Sequence, residues 1–151
     1  MPLTRRRLIL SAPALLLTAT AARADAPPVY AEAGIACDGT DVTAYFSESR
    51  AVAGDPAITL DWRGATWRFA TEAARAAFEM DPEAYAPKYG GYCAYAASKN
   101  YIAPTDPAAW TIVDDRLYLN FSRSVRALWS LDRAGHIARA DANWPGVLAT
   151  A

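Results

Sequence analysis

Two stretches in the middle of the chain, residues 58–62 and 65–69, alternate apolar with polar side chains. This period of two predicts a β-hairpin with one buried face, and the Arg-Gly pair at residues 63–64 suits a two-residue turn between its strands. A second hairpin is predicted across residues 110–119, with its turn at the Asp-Asp pair of residues 114–115.

Helix signals follow both hairpins. Thr71 offers an N-cap oxygen to an alanine-rich stretch, and Asp81-Pro82 starts a second short helix that Pro87 ends. Ser122 caps a further helix, and a last helical stretch follows it. The predicted fold is therefore α+β: a small single domain in which two β-hairpins pack against several short helices. In the helix capped by Ser122, the apolar residues Val125, Leu128 and Trp129 are expected on one face. The last helical stretch contains Ile137, Ala140 and Trp144 and ends at Pro145-Gly146.

The amino-terminal segment has the order of a Tat signal peptide. Residues 4–9 read Thr-Arg-Arg-Arg-Leu-Ile, and a mostly apolar stretch continues through residue 17. Ala-Arg-Ala at residues 22–24 is the small-x-small pattern that signal peptidase cleaves. We predict a signal peptide over residues 1–24 and export to the periplasm by the Tat pathway.

Cleavage changes the charge of the chain. The full sequence of 151 residues has 15 basic and 16 acidic side chains, and loss of the four arginines in the signal leaves 11 basic side chains and a net charge of −5. An acidic domain without a basic patch predicts no nucleic-acid partner, and none of the remaining sequence is expected to hold it to a membrane. We expect residues 25–33 to form a short N-terminal tail and residues 34–151 to form the domain.

Cys93 is the main candidate for chemistry. It lies in the run Tyr-Gly-Gly-Tyr-Cys-Ala-Tyr-Ala of residues 89–96, where a loop is predicted to meet the start of a helix. Amide N–H groups at such a boundary lower the pKa of a thiol that points at them. A reachable sulfur there can bind a soft metal, react with an oxidant or pair with a second thiol, whereas a buried one is only a small hydrophobic residue.

Four stretches of the chain resemble the exported bacterial YHS domain proteins: residues 64–69, 87–96, 117–120 and 140–145. The likeness runs from about residue 34 to residue 146. It implies a compact α+β domain and a site for a heavy metal such as copper, with no established reaction.

The first functional hypothesis is a soft-metal site centred on Cys93. Cu(I) needs only two or three ligands and prefers sulfur, so Cys93 with Cys37, or with Met80, would suffice if the fold brings them together. Cys37 stands where the resembling proteins commonly have an aliphatic residue. Two cysteines and one histidine cannot form a zinc finger.

The second hypothesis is a small-ligand or structural module. Tyr89, Tyr92, Tyr95 and Tyr101 bracket Cys93, and their rings could wall a ligand pocket with the thiol at its base. The alternative role of these tyrosines is packing, with each hydroxyl at the rim of the core.

The third hypothesis is a thiol redox protein in which Cys93 attacks and Cys37 resolves the disulfide. The sequence shows no partner base near Cys93, so catalysis is not favoured. His136, the sole histidine, is expected to be a solvated surface residue, and Asp41 and Asp106 are expected to be N-caps.

Overall fold

The computed structural model describes residues 23–151. The predicted signal peptide, apart from Arg23 and Ala24, therefore lies outside the described residues. The described part is an α+β fold of two antiparallel hairpins and several short helices, which confirms the fold class predicted from the sequence.

The first predicted hairpin is formed by β3 (Asp55–Trp62) and β4 (Ala65–Phe69). Leu60 lies opposite Trp67 across the pair, and the turn at Arg63-Gly64 is the one that the sequence indicated. Alternate residues of β4 are buried, as the period of two requires.

Two very short strands extend this hairpin into a four-stranded sheet. Strands β1 (Ala31–Glu32) and β2 (Ile35–Ala36) pair antiparallel, and β2 runs parallel to β4 through Ile35 and Thr66. The strand order is β1-β2-β4-β3. Part of the predicted N-terminal tail therefore belongs to the sheet, and Val29 just before it is buried.

The second hairpin, of β5 (Asp106–Val113) and β6 (Arg116–Asn120), is a separate two-stranded sheet. Trp110 lies opposite Leu119, and the turn falls at Asp114-Asp115 as predicted. Four of the five residues of β6 are buried, which places this strand in the centre of the molecule.

Six α-helices surround the sheets within the described residues. Thr71 caps α2 (Glu72–Met80) by accepting a hydrogen bond from the Ala74 N–H (3.1 Å), and Ser122 caps α5 (Arg123–Ser130) by accepting one from the Val125 N–H (3.1 Å). Both caps confirm the prediction. Trp129 of α5 is buried whereas Leu128 is exposed, so only part of the apolar face predicted for this helix packs into the core. The helices are α1 (Ala44–Ser47), α2 (Glu72–Met80), α3 (Pro82–Tyr85), α4 (Ala94–Ser98), α5 (Arg123–Ser130) and α6 (Arg133–Asn143).

The buried apolar side chains form two clusters. The first lies between the four-stranded sheet and α2 and contains Trp67, Phe69 and Phe78. The second lies between β6 and the last helices and contains Tyr118 and Trp129. The segment from Pro87 to Cys93 contacts both clusters, because Tyr89 belongs to the second and Gly91 packs against Cys37 of the first.

Across residues 23–151, none of the helices has the length and apolar composition that a membrane span needs.

Candidate functional site

The backbone before Cys93 follows an unusual path. A short 3-10 helix spans Lys88–Gly91, and Tyr89, Gly90 and Gly91 have φ angles of 60°, 63° and 83°. At Gly90 a Cβ atom would lie 1.9 Å from the carbonyl oxygen of Pro28, so only glycine fits. The Gly90 carbonyl also accepts a hydrogen bond from the Tyr30 N–H (2.9 Å), which fixes the loop against the N-terminal segment.

Cys93 follows this loop and immediately precedes α4, at the loop-to-helix boundary predicted from the sequence. Its side chain is 1% exposed. The sulfur accepts a hydrogen bond from the Phe121 N–H (3.3 Å), and the thiol donates to Asn120 Oδ1 (3.6 Å). The end of β6 therefore holds the thiol in place.

The protonation of Cys93 follows from burial. Desolvation raises the pKa of the thiol, while the backbone N–H groups of Ala96, Phe121 and Tyr95 near the sulfur lower it by less. The amides expected at this boundary are present, but the net pKa shift is upward, opposite to the expected lowering. Cys93 is therefore a neutral thiol at pH 7.

A small apolar pocket opens beside the sulfur. Tyr101 and Phe121 line it and are among the few large apolar side chains that stay exposed, at 51% and 55%. The volume of the pocket is about 270 Å³. We call it the Cys93 pocket; its residues are Cys93, Tyr95, Ala96, Tyr101, Ala103, Phe121 and Val125.

Cys37 lies elsewhere. It belongs to the first apolar cluster, does not line the Cys93 pocket, and remains a free thiol like Cys93. Burial, with a smaller contribution from the charge of Asp38, raises the pKa of Cys37 to about 12. Its sulfur would lie 3.5 Å from a Cβ atom on Gly91, so the loop packs directly over it.

The predicted tyrosines divide between two roles. Tyr95 lines the Cys93 pocket. Tyr89 donates a hydrogen bond to Asp141 Oδ1 (2.9 Å), and Tyr92 donates one to the Pro27 carbonyl (2.9 Å). Burial, aided by the bonded carboxylate, raises the pKa of Tyr89. Tyr89 and Tyr92 therefore pack with their hydroxyls at the rim and do not reach the Cys93 pocket.

His136 is buried, so its expected role as a solvated surface residue is wrong. Its Nδ1 lies 2.9 Å from Ser98 Oγ and 3.1 Å from Arg139 Nη2, and its ring packs against Tyr95 with centroids 5.1 Å apart. Burial first, and then the charges of Arg139 and Lys99, lower the pKa of His136. The imidazole thus supports the pocket from behind Tyr95.

The remaining candidate ligands are separate from the thiol. Met80 is 88% exposed at the end of α2, whereas both cysteines are buried. Asp41 accepts hydrogen bonds from the Thr43 N–H (2.9 Å) and the Ala70 N–H (2.8 Å), ahead of α1. Asp106 accepts one from the Ala108 N–H (2.8 Å) in β5. Neither is a helix N-cap, so that expectation is wrong: Thr43 occupies the N-cap position of α1, and Asp106 lies in β5. Each carboxylate instead accepts a hydrogen bond from the backbone N–H two residues ahead.

The sequence argument missed Asn120 and Phe121. Both directly contact the Cys93 sulfur, yet they lie 27 and 28 residues further along the chain. The only signal was that Asn120 ends one of the stretches carrying the YHS resemblance.

No group of three or more His, Cys, Asp or Glu side chains in residues 23–151 is arranged to hold a metal ion.

Comparison with known proteins gives no match to a family model, a curated protein or a solved structure.

Proposed function

We propose that the protein is a binding module of the YHS type, exported to the periplasm by the Tat pathway, which takes a small apolar ligand in the Cys93 pocket. One observation carries the proposal: Tyr101 and Phe121 remain exposed around a concave site that Cys93 also lines. Clusters of exposed large apolar side chains mark binding sites, because leaving them in water is unfavourable. A ligand in the pocket would cover both rings.

The chemistry of the lining favours an uncharged, polarizable ligand. The pocket residues are aromatic, alanine, valine and cysteine, and none of them carries a formal charge at pH 7. Sulfur and aromatic rings contact apolar groups favourably through dispersion. Binding would therefore depend on apolar contact more than on ion pairing.

A soft metal such as Cu(I) is the second candidate occupant. Metal binding removes the thiol proton, and the N–H groups of Phe121, Ala96 and Tyr95 are placed to stabilise the resulting thiolate. Cys37 does not line the pocket, so an external ligand would complete the coordination of a metal held there by Cys93.

The raised pKa values of both thiols argue against the redox hypothesis. Thiolate is the nucleophile in disulfide exchange, and both cysteines hold their protons at neutral pH. We therefore propose a binding module and not a thiol redox enzyme.

A neutral fluorescent probe tests the pocket. N-phenyl-1-naphthylamine should bind the protein, and Phe121→Ser should weaken binding by about fivefold because it removes most of one apolar wall. Leu131→Ser is the matched control, since Leu131 is 83% exposed and lies outside the pocket. Equal weakening by the two variants, or none, contradicts the proposal.

Competition for Cu(I) against a chelator tests the second candidate. Cys93→Ser should abolish Cu(I) binding, whereas Cys37→Ser should leave it unchanged because Cys37 does not reach the pocket. Retention of Cu(I) by Cys93→Ser would show that the metal binds elsewhere. Loss in both variants would instead support the two-cysteine site.

A further inference from the structure

A second concave site lies on the molecule, in a groove between the two apolar clusters. It is about 320 Å³ in volume and shares no residue with the Cys93 pocket. We call it the tryptophan groove; the residues that carry the argument are Trp62, Trp67, Tyr89, Trp144, Lys88 and Arg116.

Hydrogen bonds and ring packing hold the aromatic walls of the groove. Trp67 is buried, and its Nε1 donates a hydrogen bond to the Trp62 carbonyl (3.0 Å). On the other wall, the Tyr89 and Trp144 ring centroids lie 5.9 Å apart, and the Tyr89 hydroxyl is bonded to Asp141. Trp62 and Trp144 are only partly buried, and the Arg63 guanidinium lies 4.4 Å from the centroid of the Trp62 ring and covers part of it. The walls are thus pre-formed for a flat apolar group.

The groove carries an excess of positive charge. Arg63, Lys88 and Arg116 line it against one carboxylate, Glu83, although the formal net charge of the whole sequence is −1. Arg63 is paired with Glu83, and Lys88 lies 3.4 Å from Asp141 Oδ1.

Arg116 is the cation left available to a ligand. Its Nη1 donates to the Glu83 backbone carbonyl (2.9 Å), and it forms no ion pair with any residue from 23 to 151. A guanidinium has five N–H donors in a planar fork, so Arg116 can still bind a carboxylate through two parallel hydrogen bonds.

We propose that the tryptophan groove binds a small, flat organic anion of the aromatic carboxylate class. The ring would lie against Trp62 and Trp144, and the carboxylate would pair with Arg116 at the edge of the groove, with Lys88 nearby. This site is independent of the Cys93 pocket, which offers no charged group.

Indole NMR tests the proposal with an internal control. The chain has five tryptophans, of which Trp62, Trp67 and Trp144 line the groove whereas Trp110 and Trp129 do not. Titration with 2-naphthoate should shift the indole N–H signals of the groove tryptophans alone. The neutral 2-naphthamide should bind about tenfold more weakly, because it cannot form the charge-assisted bonds.

A matched pair of variants tests the assigned cation. Arg116→Gln should weaken 2-naphthoate binding by about tenfold, whereas Arg123→Gln, at an exposed arginine outside the groove, should not change it. Equal affinity for the acid and the amide, shifts at all five tryptophans, or full binding by Arg116→Gln overturns the proposal. If Arg116→Gln does not fold, the comparison of the two probes on the unaltered protein still decides the question. Phe121→Ser should bind 2-naphthoate normally, so the test of the tryptophan groove and the test of the Cys93 pocket can fail independently of each other.

Discussion

Three consecutive residues ahead of Cys93 have positive φ angles, and the middle one, Gly90, touches the N-terminal segment at Pro28. A side chain at Gly90 meets two penalties: the left-handed backbone disfavours any Cβ, and the Pro28 carbonyl occupies the space that the Cβ needs. Gly64, in the β3–β4 turn, has a similar φ of 77° but open space around it. Comparing a substitution at Gly90 with one at Gly64 therefore distinguishes the cost of the steric clash from the cost of backbone strain alone.

Gly90→Ala should lower the free energy of unfolding by at least about 3 kcal/mol, because Pro28 must move and the Tyr30–Gly90 hydrogen bond is lost. Gly64→Ala should cost only about 1 kcal/mol, the backbone penalty alone. Urea unfolding of both variants measures the difference. A similar loss of free energy of unfolding in the two variants would contradict this prediction, because it would mean that the loop relieves the clash at little cost.

The sequence allowed the position of Cys93 to be predicted at a loop-to-helix boundary, but not its environment. Its burial and its bonded partners come from Asn120 and Phe121, which no local pattern connects to it. His136 shows the same limit, because it looks like a surface residue in α6 until α4 packs against it. Long-range packing decides whether such a group is neutral or charged.

At the scale of elements, strong local signals were sufficient to predict the hairpin strands and the helix starts from the sequence. The alternation in β4 and the caps Thr71 and Ser122 act within a few residues, so they were predicted correctly. Strands β1 and β2 have two residues each, which is too short for any alternation, and the parallel pairing of β2 with β4 joins Ile35 to the distant Thr66. No local signal could have shown that pairing.

Asn120 joins β6 to α4. Its Oδ1 accepts a hydrogen bond from the Tyr95 N–H (3.1 Å) at a fully buried position. Asn120→Ala should lower the free energy of unfolding by about 2 kcal/mol, since it leaves that N–H without a partner. Hydrogen exchange at the Tyr95 amide should accelerate in this variant.

Asn143→Ala is the control for this prediction. Asn143 is only half-buried and donates a single hydrogen bond to the Ala97 carbonyl (2.9 Å), so its loss should cost about 1 kcal/mol. The exchange rate of the Tyr95 amide should not change. Equal exchange at Tyr95 in both variants would contradict the role given to Asn120.

At the scale of the whole molecule, the packing of α6 on α4 makes stability depend on pH. In the unfolded chain histidine titrates near pH 6.5, whereas in the native protein burial and the charges of Arg139 and Lys99 lower the pKa of His136, opposed in part by Asp132. Between those two pKa values the unfolded chain binds a proton that the native protein does not. Stability is therefore lost as the pH falls through 6.5.

Urea unfolding at pH 7.5 and pH 5.5 should show this loss in the unaltered protein. His136→Gln should show a smaller difference between the two pH values, because the group that titrates is gone. Arg139→Gln should also reduce it, since one of the charges that lower the pKa is removed. An unchanged pH dependence in His136→Gln would assign the effect to other groups.

The N-terminal segment is hydrogen-bonded to the C-terminal end of the chain. The Ala26 N–H donates a hydrogen bond to the Leu148 carbonyl (2.9 Å), so one of the earliest described residues depends on one of the latest. A ribosome delivers Ala26 long before Leu148, and in that interval the segment lacks this partner. Folding can therefore finish only after Leu148 has been synthesised, so the first described residues reach their native contacts among the last.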